Sequence, residues 1–89
     1  MRVVFLYHPK SEQEGRVLDY VHEYKSRHPE IEPELMSLET REGAEMAKLY
    51  DVTSYPAVLA VSRDGHLQQF WQGEQLPLMR ELDAYAFSY

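Results

Sequence analysis

His8 and Ser11 stand three residues apart near the start of the chain, and a histidine beside a serine is the pair that activates a hydroxyl nucleophile. Such catalysis also needs a third group to orient the imidazole and donors for the developing oxyanion. No residue in the sequence stands out as either, so the pair does not read as a catalytic centre. The four histidines, His8, His22, His28 and His66, lack the spacing of metal ligands and read as surface groups. Carboxylates crowd at Glu12 and Glu14 and at Glu30, Glu32 and Glu34, a pattern of solvated faces rather than of an acid–base pair. The chain contains no cysteine, which removes disulfides, thiolate metal sites and a cysteine nucleophile together. The expectation is therefore no catalytic residue, no metal site and no cofactor.

The remaining composition narrows the partners. A length of 89 residues suits one domain spanning 1–89. At 44% apolar and 12% aromatic, the sequence is too hydrophobic for a disordered chain. A net charge of −6 argues against nucleic acid and anionic membrane, both of which reward clustered cations. No stretch approaches the roughly 18 apolar residues of a membrane span. The apolar run Val3–Tyr7 is too short for a signal-peptide core, so a cytoplasmic location is the expectation.

The elements that position these residues follow from periodicity. Arg2–Tyr7 is a continuous β-branched and aromatic run, the pattern of a strand buried on both faces. His8-Pro9-Lys10 breaks it. Ser11-Glu12-Gln13-Glu14 is a capping box, in which the Ser11 hydroxyl accepts from the Glu14 amide and the Glu14 carboxylate reaches back. A helix is predicted from Glu12 to Arg27, with Val17, Leu18, Val21 and Tyr24 as its apolar stripe. A strand follows over Glu34–Glu39, then a helix over Arg41–Tyr50 with Thr40 as N-cap and with Ala44, Ala47 or Lys48, and Tyr50 near one face. Ala57–Ser62 and His66–Gln72 form a hairpin about Asp64-Gly65. Alternation in the second of these strands puts Leu67, Gln69 and Trp71 on one face and Gln68, Phe70 and Gln72 on the other. Pro77 suits the first turn of a last helix carrying Leu78, Leu82, Tyr85 and Tyr89 on one side. The order is β-α-β-α-β-β-α, an α/β domain whose first two strands run parallel and whose last two run antiparallel.

The stretch Tyr50–Gly65, YDVTSYPAVLAVSRDG, resembles the thioredoxin superfamily, in which a short helix leads through a Y-x-V-x-S/G-x-P turn into a strand and a glycine hairpin. Gly73, eight residues after Gly65, matches the family's second glycine. The element order agrees with the minimal thioredoxin-like fold and its four-stranded mixed sheet over nearly the whole chain. In that family a C-x-x-C pair opens the first helix, and the matching positions here are Ser11 and Glu14. Neither can replace a thiolate in disulfide exchange. The acid buried beneath the family's active site would fall at about Phe5.

The resemblance further implies a cis Tyr55–Pro56 bond facing the start of the first helix, and β-type pairing of the backbone at Tyr55 with an extended peptide or glutathione. The surface it points to is Tyr55, Pro56, His8, Pro9, Ser11 and Gly73. Three functions are compatible with it. The first is a redox-inactive module that binds a protein or peptide in this groove. The second is non-covalent binding of glutathione or a small anion, weakened because Lys10 is the one cation near the groove in sequence. The third is a structural subunit, monomeric or a weak homodimer that pairs through the poorly charged LQQFWQ strand at a sheet edge.

Overall fold

The structure is a computed structural model that describes residues 2–73 and 75–86. Strand β1, Arg2–Tyr7, lies inside the sheet and is buried on both faces along Val3, Val4, Phe5 and Leu6, as its unbroken apolar run requires. It pairs in parallel with β2, Glu34–Ser37, with Val4 opposite Glu34 and Tyr7 opposite Ser37. On its other side it pairs antiparallel with β3, Ala57–Val61, every residue of which is buried. Strand β4, Leu67–Gln72, follows the Asp64-Gly65 turn and closes the order β2-β1-β3-β4.

The alternation of β1 divides the core. Val3 and Phe5 face helix α1, Glu12–Arg27, and helix α3, Met79–Ala86, packing with Val17, Val21, Tyr24, Val58 and Leu82. Val4 and Leu6 face helix α2, Arg41–Leu49, packing with Ala47, Val52, Ala57, Leu59 and Val61. The result is a mixed four-stranded sheet with helices on both faces.

Several local expectations are corrected. The second strand ends at Ser37 rather than Glu39, because the Ser37 carbonyl is taken by the Thr40 amide at 3.1 Å and the Thr40 hydroxyl at 2.7 Å, which turns the chain into α2. Leu18 is 43% exposed; one residue after Val17 it is rotated about 100° off the buried stripe. On α2 the buried positions are Gly43 and Ala47, while Ala44 is exposed. Gly43 is buried because the helix lies so close to β2 that a Cβ there would sit 2.1 Å from the Ser37 carbonyl oxygen.

In β4 a bulge at Gln68, between the Ala60–Gln69 and Val61–Leu67 pairs, shifts the alternation. Leu67 therefore packs with Phe70 on the α2 side, and Trp71 faces the other side against Tyr85, with ring centroids 5.7 Å apart. The last helix begins at Met79, two residues later than Pro77, and Leu78 lies outside it and 56% exposed. The Pro77 carbonyl instead accepts the Tyr20 hydroxyl at 2.8 Å, tying the entry of α3 to α1. Phe87 and Tyr89 lie outside the described residues.

Candidate functional site

The head of α1 is held by local hydrogen bonds, one residue out of step with the expected capping box. Ser11 is extended, and its hydroxyl oxygen accepts from the Gln13 amide at 3.3 Å and donates to the His8 carbonyl at 2.6 Å. The Glu14 amide donates to the Ser11 carbonyl, and the Glu14 carboxylate accepts from the Lys10 amide at 3.3 Å. Lys10 adopts a left-handed conformation, φ 58°, and this turn presents its own amide, rather than that of Ser11, to Glu14. The Ser11 hydroxyl thus bonds to the backbone of His8. The imidazole turns instead to the Tyr55 ring, edge-on with centroids 5.0 Å apart.

The turn before β3 is built from distant parts of the chain. Helix α2 closes with Asp51 left-handed, φ 56°, and the Val52 amide donating to the Ala47 carbonyl at 2.9 Å. The carboxamide oxygen of Gln72, on β4, accepts from the amides of Thr53 at 3.0 Å and Ser54 at 3.2 Å. The Tyr55 hydroxyl donates to the Val52 carbonyl at 3.1 Å, pinning the ring. The Tyr55–Pro56 peptide bond is cis. The buried Pro56 carbonyl accepts from the Gly73 amide at 3.1 Å, and Gly73 has φ 107°, a conformation that side chains disfavour.

These two regions meet. The Gln13 carboxamide nitrogen donates to the Tyr55 carbonyl at 3.0 Å. An open pocket of about 410 Å³ lies on the α2 side, with His8 and Tyr55 as aromatic wall, Leu38 and Val52 as apolar lining, and Lys48 and Asp51 as its charged groups. A second pocket of about 280 Å³ is lined by Ser11, Glu12, Gln13, Arg16 and Pro56. The structure thus brings His8 and Tyr55 to one pocket, Ser11 and Pro56 to the other, and Gly73 onto the Pro56 carbonyl. Pro9 is half-buried in the loop before Ser11 and lines neither pocket.

Sequence reasoning missed Gln13, Gln72, Arg16 and Lys48. No local pattern marks them, since Gln13 meets Tyr55 across 42 residues and Gln72 meets Thr53 across 19. Lys10 is the one cation near the groove in sequence; in the fold Arg16, on α1, also lines the second pocket.

The histidines are not all surface groups either. His28 is half-buried beyond the end of α1, with its Nε2 3.0 Å from an Asp83 carboxylate oxygen on α3 and its ring against Tyr24. Burial pushes the Tyr24 phenol well above its ordinary range, and the neighbouring Asp83 carboxylate adds to the effect. Of the crowded carboxylates, Glu12, Glu30 and Glu32 are exposed, as expected of solvated faces, with Glu32 paired to Lys25 at the surface; Glu34 takes a two-bond fork from Arg2 at 2.8 and 2.9 Å. Among the described residues no group of three or more histidine, aspartate or glutamate side chains is placed to hold a metal ion, and no helix is long and apolar enough to cross a membrane.

No protein-family model and no curated protein matches the sequence. Solved structures do match the architecture. Thioredoxin 1 from the thermophilic eubacterium Thermosipho africanus aligns over 96% of this chain and 89% of its own, with a TM-score of 0.66 at 12% identity. A proposed disulphide-isomerase from Bacteroides thetaiotaomicron aligns over 99% of this chain and 78% of its own, with a TM-score of 0.68 at 22% identity. Thioredoxin O2 from Arabidopsis thaliana aligns over 93% and 69%, with a TM-score of 0.64 at 12% identity. The sheet order, the helices on both faces and these likenesses agree: the chain has a thioredoxin-like fold, and it carries no cysteine with which to perform thiol–disulfide exchange.

Proposed function

We propose that this domain is a redox-inactive module that binds an extended segment of a protein or peptide across the Tyr55–Pro56 turn. The observation that carries the reading is the bond from the Gln13 carboxamide to the Tyr55 carbonyl. A carboxamide is chemically a peptide group, so this carbonyl is placed to accept an amide donor of the kind a passing strand supplies. The flanking pockets suit side chains that alternate to either side of such a strand. Tyr55 contributes its backbone; its ring is committed to His8 and its hydroxyl to Val52.

The test is selection from a phage-displayed library of random linear peptides, followed by NMR titration of the isotope-labelled domain with a selected peptide. Shift changes centred on His8, Gln13, Tyr55 and Gly73 are expected. A peptide that perturbs only residues away from this turn would refute the reading, as would failure to select any.

Arg16 beside Ser11 favours a second reading, a small anion or glutathione held non-covalently in the smaller pocket. Titration with millimolar glutathione separates the two: absence of shift changes at Ser11, Gln13 and Arg16 would eliminate it.

A further inference from the structure

We infer that Gln13 is an internal competitor for the groove: its carboxamide holds, in the free protein, the hydrogen-bonding position that the backbone amide of a bound peptide would take. This rests on the peptide-binding reading above and adds what a ligand must do to enter. The Gln13 nitrogen occupies the Tyr55 carbonyl at 3.0 Å. The Gln13 oxygen is buried and has no hydrogen-bond partner among the described residues. A buried polar atom left unpaired is unfavourable, so the closed arrangement satisfies only one end of the carboxamide. Among the described residues no acceptor engages the Tyr55 amide. The turn therefore offers an arriving strand one open donor and one acceptor already in use.

An extended peptide pairs first with the Tyr55 amide, then replaces the Gln13 nitrogen on the Tyr55 carbonyl with its own N–H. The released carboxamide swings into the adjoining pocket of about 280 Å³ that it already lines, where its oxygen can meet water or a donor of the ligand. The exchange trades one amide–carbonyl bond for another and relieves the unpaired oxygen. Gln13 therefore sets a threshold: ligands that offer a backbone N–H in register displace it, and ligands without one do not.

The experiment compares wild type with Gln13→Ala and Gln13→Glu, titrated with the same phage-selected peptide. The glutamate variant keeps the size of the side chain but cannot donate to the Tyr55 carbonyl when ionised, so the two variants remove the competitor in different ways, and one remains informative if the other fails to fold. Both should bind about five- to tenfold more tightly, the worth of one net hydrogen bond no longer displaced. In the wild type the Gln13 side-chain amide protons should lose protection from exchange when the peptide binds. Equal or weaker binding by the variants, with Tyr55 still perturbed, would overturn the competitor and leave the groove standing. Peptides that perturb Tyr55 in none of the three proteins would overturn both.

Discussion

The Gln72 carboxamide oxygen bonds the Thr53 amide at 3.0 Å, so a side chain on the edge strand β4 holds the turn that presents Tyr55. The same oxygen takes the Ser54 amide at 3.2 Å, leaving both lone pairs used. Replacing Gln72 by Ala should cost about 1 kcal/mol of stability, the net worth of two exposed hydrogen bonds. It should also blur the NMR signals of Thr53, Ser54 and Tyr55 before any others. Chemical denaturation gives the first number and backbone spectra the second; an unchanged midpoint with unchanged Tyr55 signals would contradict this role.

Two helical glycines should respond oppositely to alanine. At Gly15 a Cβ meets nothing within 4 Å, so Gly15→Ala should stabilise by about 0.5–1 kcal/mol through helix propensity. At Gly43 the Cβ would lie 2.1 Å from the Ser37 carbonyl, and that carbonyl is fixed by its bonds from Thr40. The clash outweighs propensity, and Gly43→Ala should destabilise by about 1–3 kcal/mol or more. A Gly43→Ala thermal midpoint at or above that of the wild type would refute the close approach of α2 to β2.

The Arg2–Glu34 fork predicts a dependence on acid. Its hydrogen bonds hold the Glu34 carboxyl below the usual carboxylate range. A depressed folded value means stability present above the unfolded value of about 4.3 and lost as pH falls through the folded one. Both side chains are more than a third exposed, so solvent screening limits the contribution to about 1 kcal/mol or less. Glu34→Gln should remove that part of the acid dependence, measured as denaturation midpoints at neutral and acidic pH. Parallel acid profiles for the two proteins would exclude it.

The alkaline side is set by phenols in the α1–α3 layer. Burial pushes Tyr20 up to about 12, and Tyr24 is raised as well. A raised folded value means stability fully present below the unfolded value of about 10 and lost as pH rises through the folded one. Tyr24→Phe removes one of these groups and should make the alkaline loss shallower, followed by circular dichroism alongside phenolate absorbance. Identical alkaline profiles would show that Tyr24 ionises as an exposed tyrosine does.

Local and compositional features were legible in the order of residues alone. The unbroken apolar run of β1, the periodicity of α1, the Thr40 cap and the Asp64-Gly65 turn each follow from residues within a few positions of one another, where propensity and side-chain period act directly. The lack of cysteine is likewise a matter of reading residues.

Which distant residues meet depended on the folded chain. The bulge at Gln68 reversed the facing of Leu67 because one extra residue inverts a period of two. His28 became a partner of Asp83 once α3 packed against the end of α1. Gln13 reached Tyr55, and Gln72 reached Thr53, because the pairing of β1, β3 and β4 brings segments 42 and 19 residues apart to one end of the sheet. Such contacts are made by side chains with no periodic or compositional signature, so they exist only once the backbone is folded.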